Sequence, residues 1–181
     1  ITLKTGWNFI GSPYPFQIPL QLDQVQFYGP LTYGISGESW SPVVTELDPW
    51  NGYVVYNRMS TDQYIRLDPS IGSVTTVARK VEESGWILSL DLSSGAHGDH
   101  INTLGALETA EDALEWHDNP EIRSPGPGVS LFFKLEGETL ELTSDIRSLG
   151  KKVNVWDMHV RSDTDYDVDL YWSVIKDLPA N

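Results

Sequence analysis

The sequence predicts an all-β chain of two β-rich units, the second an antiparallel β-sandwich of immunoglobulin-like or jelly-roll character. Three observations predict it. Residues 129–135 alternate strictly, with Val129, Leu131, Phe133 and Leu135 on one face and Ser130, Phe132 and Lys134 on the other. That period of two belongs to a strand with one buried face. Composition agrees: seven Trp, eight Tyr, 15 Gly and 11 Pro, but two Met, suit strands and turns rather than helical bundles. Turn signals also separate short apolar runs along the whole chain.

Taken in order, residues 1–5 alternate and lead into a glycine-bounded strand, Gly6-Trp7-Asn8-Phe9-Ile10-Gly11. Pro13, Pro15 and Pro19 then allow turns or extended chain and forbid a central strand. Residues 25–28 and 31–35 read as short strands on either side of Gly29-Pro30, and residues 46–50 as a turn. Residues 52–57 (Gly-Tyr-Val-Val-Tyr-Asn) form a strand, with residues 63–67 returning as its hairpin partner across 58–62. These elements make a first domain over residues 1–72, small but large enough to fold alone.

Asp68-Pro69-Ser70-Ile71-Gly72-Ser73 marks the boundary, and residues 73–181 make the sandwich domain. Residues 74–79 are its first strand or a linker strand. In residues 86–92, Trp86, Leu88, Leu90 and Leu92 point inward, with Ile87, Ser89 and Asp91 outward. A polar loop over 93–99 follows, and 108–116 is the one helical candidate. Leu140 and Leu142 mark another strand. The last two are residues 153–160 and 166–175, the latter with Tyr166, Val168, Leu170, Trp172 and Val174 on one face.

The formal charge is −14 and uneven: residues 1–78 hold three basic and six acidic groups, residues 79–181 nine and 20. Such a surface repels phosphate backbones and anionic membranes but attracts hard cations such as Ca²⁺. No cysteine is present, which excludes disulfides, thiolate zinc sites and a Cys nucleophile. No apolar run approaches the roughly 18 residues that span a membrane. The chain begins at Ile1 within a strand-like segment, so we expect a mature product or a piece of a longer protein.

Four groups could carry chemistry. His97-Gly98-Asp99-His100, with His117 or Asp118, has a metal-like spacing, against the plainer reading of histidines in a glycine-flanked loop. Asp163, Asp165 and Asp167 resemble the start of a calcium loop. Val168 and Val174, however, stand where an EF-hand needs Gly and Glu, and the solvated face of a strand explains them too. Asp112, Glu115, Asp118 and Asp99 could pair as acid and base in glycoside hydrolysis, against a structural hydrogen-bonding or calcium role. Trp40, Trp50, Tyr53 and Tyr56 could stack on sugars, against a place in the core. Neither a Gly-x-Ser-x-Gly elbow nor a phosphate-cradling glycine loop occurs. No residue is therefore assigned as catalytic or cofactor-binding.

One ordered series of residues carries a resemblance. It runs Trp86, Asp99, Asn102, Gly105, Ala110, Asp112, Asp118, Pro120, Glu121, Leu131 to Phe133, Asp145, Arg147, Trp156, Leu170, Trp172, Leu178 and Pro179. It is similar to β-sandwich modules that precede C-terminal sorting domains, of type IX secretion or FlgD-like kind, in large exported bacterial proteins. Ala113 and Glu115 depart from the Gly and Asp of that pattern, which weakens any turn or cation site there. Residues 6–15 and 52–56 resemble the short β modules found ahead of it. The resemblance implies a non-catalytic structural module, extracellular or at the cell surface, whose partners are neighbouring domains. It implies no catalytic residues. A sugar-binding module and a carboxylate-dependent glycoside enzyme are the alternatives. From strand spacing, Asp145 and Arg147 share a face, as a surface ion pair or an anchor for the 110–127 connection. Arg147→Ala should then loosen that connection.

Overall fold

The structure is a computed structural model and describes residues 1–20, 22–34, 39–42, 46–69, 83–151 and 153–176. Among these residues the chain is all-β. It has no helix, and so none long and apolar enough to cross a membrane. It divides into two compact units: Ile1–Tyr33 with Ser41–Lys80, and Gly34–Trp40 with Val81–Asn181. The expected boundary at 72/73 and the expected strand at 74–79 lie outside the described residues.

The first unit contains β1 (Thr2–Leu3), β2 (Gly6–Gly11), β3 (Ile18–Pro19), β4 (Phe27–Tyr33), β5 (Trp40–Pro42), β6 (Glu46–Leu47), β7 (Gly52–Asn57) and β8 (Gln63–Tyr64), with Trp40 of β5 grouped with the second unit. A four-stranded sheet runs β2-β7-β4-β5, while β1 pairs β8 and β3 pairs β6. Glycine-bounded β2 lies antiparallel on β7, from Gly6↔Asn57 to Gly11↔Gly52. Ile10, Tyr53 and Val55 point from this pair into a core with Leu3, Leu20, Phe27, Leu47 and Ile65.

Two expectations are corrected here. Gly29-Pro30 does not split two strands: β4 runs through it with a break in register between Tyr28 and Leu31. Gly29 has φ +100, and a Cβ there would sit 2.8 Å from the Val54 carbonyl oxygen, so only glycine lets β4 lie this close to β7. Residues 63–67 do not return to β7 either. The Asn57 amide donates to the carbonyls of Leu3 (3.2 Å) and Thr61 (3.0 Å), and β8 is turned onto β1 instead.

The second unit contains β9 (Gly85–Ser94), β10 (His97–Leu107), β11 (Asn119–Pro120), β12 (Val129–Lys134), β13 (Glu141–Ser148), β14 (Asp157–Ser162) and β15 (Asp169–Lys176). The sheet order is β14-β12-β13-β10-β9-β15, with β11 on β13. The pairing is not wholly antiparallel: β10 and β13 run parallel from Thr103↔Ser144 to Leu107↔Ser148. Their connection is long, as a parallel crossover must be, and it contains β11 and β12. Two strands, β13 and β10, separate β12 from β9 in the sheet, yet Val129, Leu131 and Phe133 of one share a core with Leu90 and Leu92 of the other. The sheet therefore curls over onto itself.

The supposed polar loop at 93–99 is a tight hairpin. Ser94 pairs with His97 across Gly95-Ala96, and Gly95 takes φ +61. The supposed helix at 108–116 is irregular chain, because its backbone is held by carboxylate side chains rather than by helical bonds.

Candidate functional site

The most chemically dense region lies where β10 meets β12, β13 and the 108–128 connection. Its geometry starts from a bulge. Asp99 pairs with Leu92 and Asn102 with Leu90, so one extra residue is carried on β10 between them. Residues three apart on a regular strand face opposite ways. The bulge turns both inward, beside the core leucines. Asp99 is 8% exposed and Asn102 fully buried.

The carboxylate and amide oxygens gathered here then find protein donors. Asp99 Oδ2 accepts the Leu131 backbone N–H at 2.8 Å, tying β10 to β12 across the fold. Asn102 Oδ1 accepts the Thr143 hydroxyl at 2.9 Å. Asp118 Oδ1 accepts the Ile146 N–H and its Oδ2 the Glu115 N–H, each at 3.0 Å. Asp112 Oδ1 accepts the Ser148 N–H at 3.2 Å, and its Oδ2 lies 2.6 Å from Lys151 Nζ. The connection is thus stitched to β13 by two carboxylates.

Asp145 and Arg147 do pair, through Nε at 3.0 Å and Nη2 at 2.8 Å. The pair is no surface feature, because Asp145 is 1% exposed. The guanidinium also lies over the Trp156 ring, whose Nε1–H donates to the Asp145 carbonyl at 3.0 Å. Arg147 grips the Trp156 segment, while the connection is held by Asp112 and Asp118.

Burial sets the electrostatics. It raises the Asp99 carboxyl against the bond from Leu131, and pushes Asp118 up to about 6. Glu121 goes furthest, up to about 9, first through burial and then through nearby Asp99. Its Oε2 is buried without a hydrogen-bond partner. Lys151 holds Asp112 below the usual carboxylate range, and Asp145 raises Arg147. A cleft of about 810 Å³ opens beside this network, lined by Lys134, Glu136, Glu138, Asp157 and the paired Asp112, Arg147 and Lys151.

No family model matches the chain, and no curated protein or solved structure resembles it.

The remaining candidates are dispersed. His100 is exposed, with Nδ1 3.3 Å from Asp91 Oδ1. His117 is buried against Glu115, with Nε2 3.6 Å from Glu83. Among the described residues no three His, Asp or Glu side chains converge as metal ligands. Asp163, Asp165 and Asp167 lie exposed in the loop between β14 and β15.

The four aromatics do not form one platform. Tyr53 is buried, its hydroxyl accepting the Asp48 N–H at 2.6 Å. Trp40 is buried too, and its Nε1–H donates to the Arg123 carbonyl at 3.2 Å. Tyr56 packs edge-on to Trp7, whereas Trp50 is 79% exposed and holds a positive φ of 63°.

Sequence reading named Glu121 without a role. Its perturbed titration arises from burial, which no local pattern reports.

Proposed function

We propose that this chain is a non-catalytic structural module of a longer secreted or cell-surface protein, a rigid acidic scaffold between neighbouring domains. The observation that carries this reading is the use of its carboxylates. Asp99, Asp112 and Asp118 accept backbone amides of β12, β13 and the connection, and Asp145 holds Arg147. Acids engaged this way stiffen loops; they do not point at a substrate. In a chain without cysteine, such bonds do the fastening that disulfides do in many exported domains. The likeness to modules beside bacterial sorting domains rests on the same residues.

A carbohydrate-binding role is the second reading, and Trp50 is what favours it. Trp50 presents its ring to solvent from a strained left-handed backbone position, and such strain gathers at ligand-binding sites.

Thermal unfolding followed by Trp fluorescence tests both, because a ligand that binds only the folded state raises the midpoint. The scaffold reading expects the same midpoint with EDTA, with Ca²⁺ and with a panel of soluble polysaccharides. A rise with one polysaccharide, lost in Trp50→Ala, would replace it by the binding-module reading. A rise with Ca²⁺ would make the acidic region a cation site.

A further inference from the structure

The two edge strands of the second unit carry apolar side chains that protein leaves exposed. Met158 and Val160 of β14 pair with Phe133 and Leu131 of β12, so they share the inward face. Trp172 and Val174 of β15 pair with Leu90 and Leu88 of β9, on the same inward face. Leu131 and Phe133 are fully buried and Leu90 is 5% exposed. Their edge-strand partners are not covered: Met158 is 42% exposed, Val160 49%, Val174 53% and Trp172 69%. The apolar pattern continues past the point where protein covers it.

β14 and β15 stand at the two ends of the sheet order, so each has an edge with no neighbouring strand among the described residues. The loop that joins them is pinned. The Asp163 N–H donates to the Gly128 carbonyl at 2.9 Å, and Ser94 Oγ lies 2.7 Å from Thr164 Oγ1 and donates to the Tyr166 carbonyl at 3.3 Å. Free backbone groups on such an edge are a template for an added strand.

Charge decides what kind of strand. Asp169 opens β15, and Asp163, Asp165 and Asp167 lie in the loop that leads into it, all exposed. Arg161 of β14 is already engaged: it bonds Glu141 at 2.8 Å and lies over Phe132, on which the His159 ring also stacks. A second copy would bring another net charge of −14 to an acidic rim, which disfavours self-pairing.

We propose that the outer edge of β15 takes up one extended segment of a partner polypeptide, up to eight residues long to match β15, with apolar residues alternating with Lys or Arg. Alternate apolar side chains would cover Trp172 and Val174, and the cations would meet the aspartates. The inference is independent of the scaffold reading, since a sugar-binding module could use the same edge.

The test is fluorescence anisotropy with a labelled alternating Val–Lys decamer, run beside a decamer of the same composition with its valines and lysines in two blocks. The alternating peptide should bind at least tenfold more tightly than the blocked one. Trp172→Lys should weaken it at least tenfold without lowering the unfolding midpoint, because Trp172 lies largely in solvent. Asp163→Asn with Asp165→Asn and Asp167→Asn should flatten its salt dependence. Absent binding, equal binding of the blocked peptide, or unchanged binding to Trp172→Lys would overturn the proposal. So would a concentration-dependent dimer abolished by Trp172→Lys, which would make a second copy the occupant.

Discussion

Glu121 shows how one buried side chain can set the pH response of a domain. Its carboxyl titrates near 9 and that of Asp118 near 6, each above its ordinary value, because burial penalises the charged form. The folded state therefore holds protons that the unfolded chain has already released. Stability must fall as pH rises, from the ordinary carboxylate range up to about 6 for Asp118 and up to about 9 for Glu121. We expect the unfolding midpoint to drop steadily from about pH 5 to about pH 9. Glu121→Gln, neutral throughout, should remove most of the slope above about pH 6 and raise the midpoint at pH 8. Circular dichroism melts across that range check it, and an unaltered slope in the variant would show that Glu121 is not the titrating group.

At the scale of elements, the 108–128 connection behaves as a latch. It lacks helical bonds and has one short strand, β11, yet Asp112 and Asp118 fix it to β13 at three points with the Glu121 N–H, which donates to the Glu141 carbonyl at 2.9 Å. Removing Asp118 leaves the Ile146 and Glu115 amides without their acceptor, at a cost of about 1–3 kcal/mol. Asp118→Ala should therefore expose the exposed-side-chain site at Arg123 to trypsin much sooner than in the native chain. Arg147→Ala should instead free Trp156 and red-shift its fluorescence, with little change in the rate of cleavage at Arg123. Limited proteolysis with mass mapping separates the two variants, and equal cleavage in both would return the latch to Arg147. The bulge in β10 belongs to this scale too: by turning Asp99 and Asn102 to one face it brings both into the interior.

At the scale of the whole molecule, charge opposes cohesion. Of the 26 carboxylates, 20 lie in residues 79–181 against nine basic groups, so the second unit carries most of the self-repulsion. Screening should relieve it. The unfolding midpoint should rise as NaCl goes from about 0.02 M to about 0.5 M, over which the Debye length falls from tens of ångströms to a few. A midpoint that fell with salt would mean that the ion pairs, such as Arg161–Glu141, outweigh the repulsion.

The all-β class was legible in the alternation of residues 129–135 and 86–92, in the glycine-bounded strand at 6–11 and in the β-branched and aromatic run at 52–57. Period-two burial is a local property that a strand writes into its own sequence. Pairing partners were not legible. That β8 turns to β1, and that β10 lies parallel to β13, depends on contacts between distant segments. The polar stretch His97–Leu107 concealed a strand, because its buried Asp99 and Asn102 are tolerable only with Leu131 and Thr143 at hand. The acidic residues of the connection were visible as candidates, but only tertiary structure assigns their oxygens to backbone amides. Alternation over Leu170, Trp172 and Val174 promised a buried face. Sequence fixes which side chains share a face; whether protein covers that face depends on what stands beside the strand, and β15 stands at an edge.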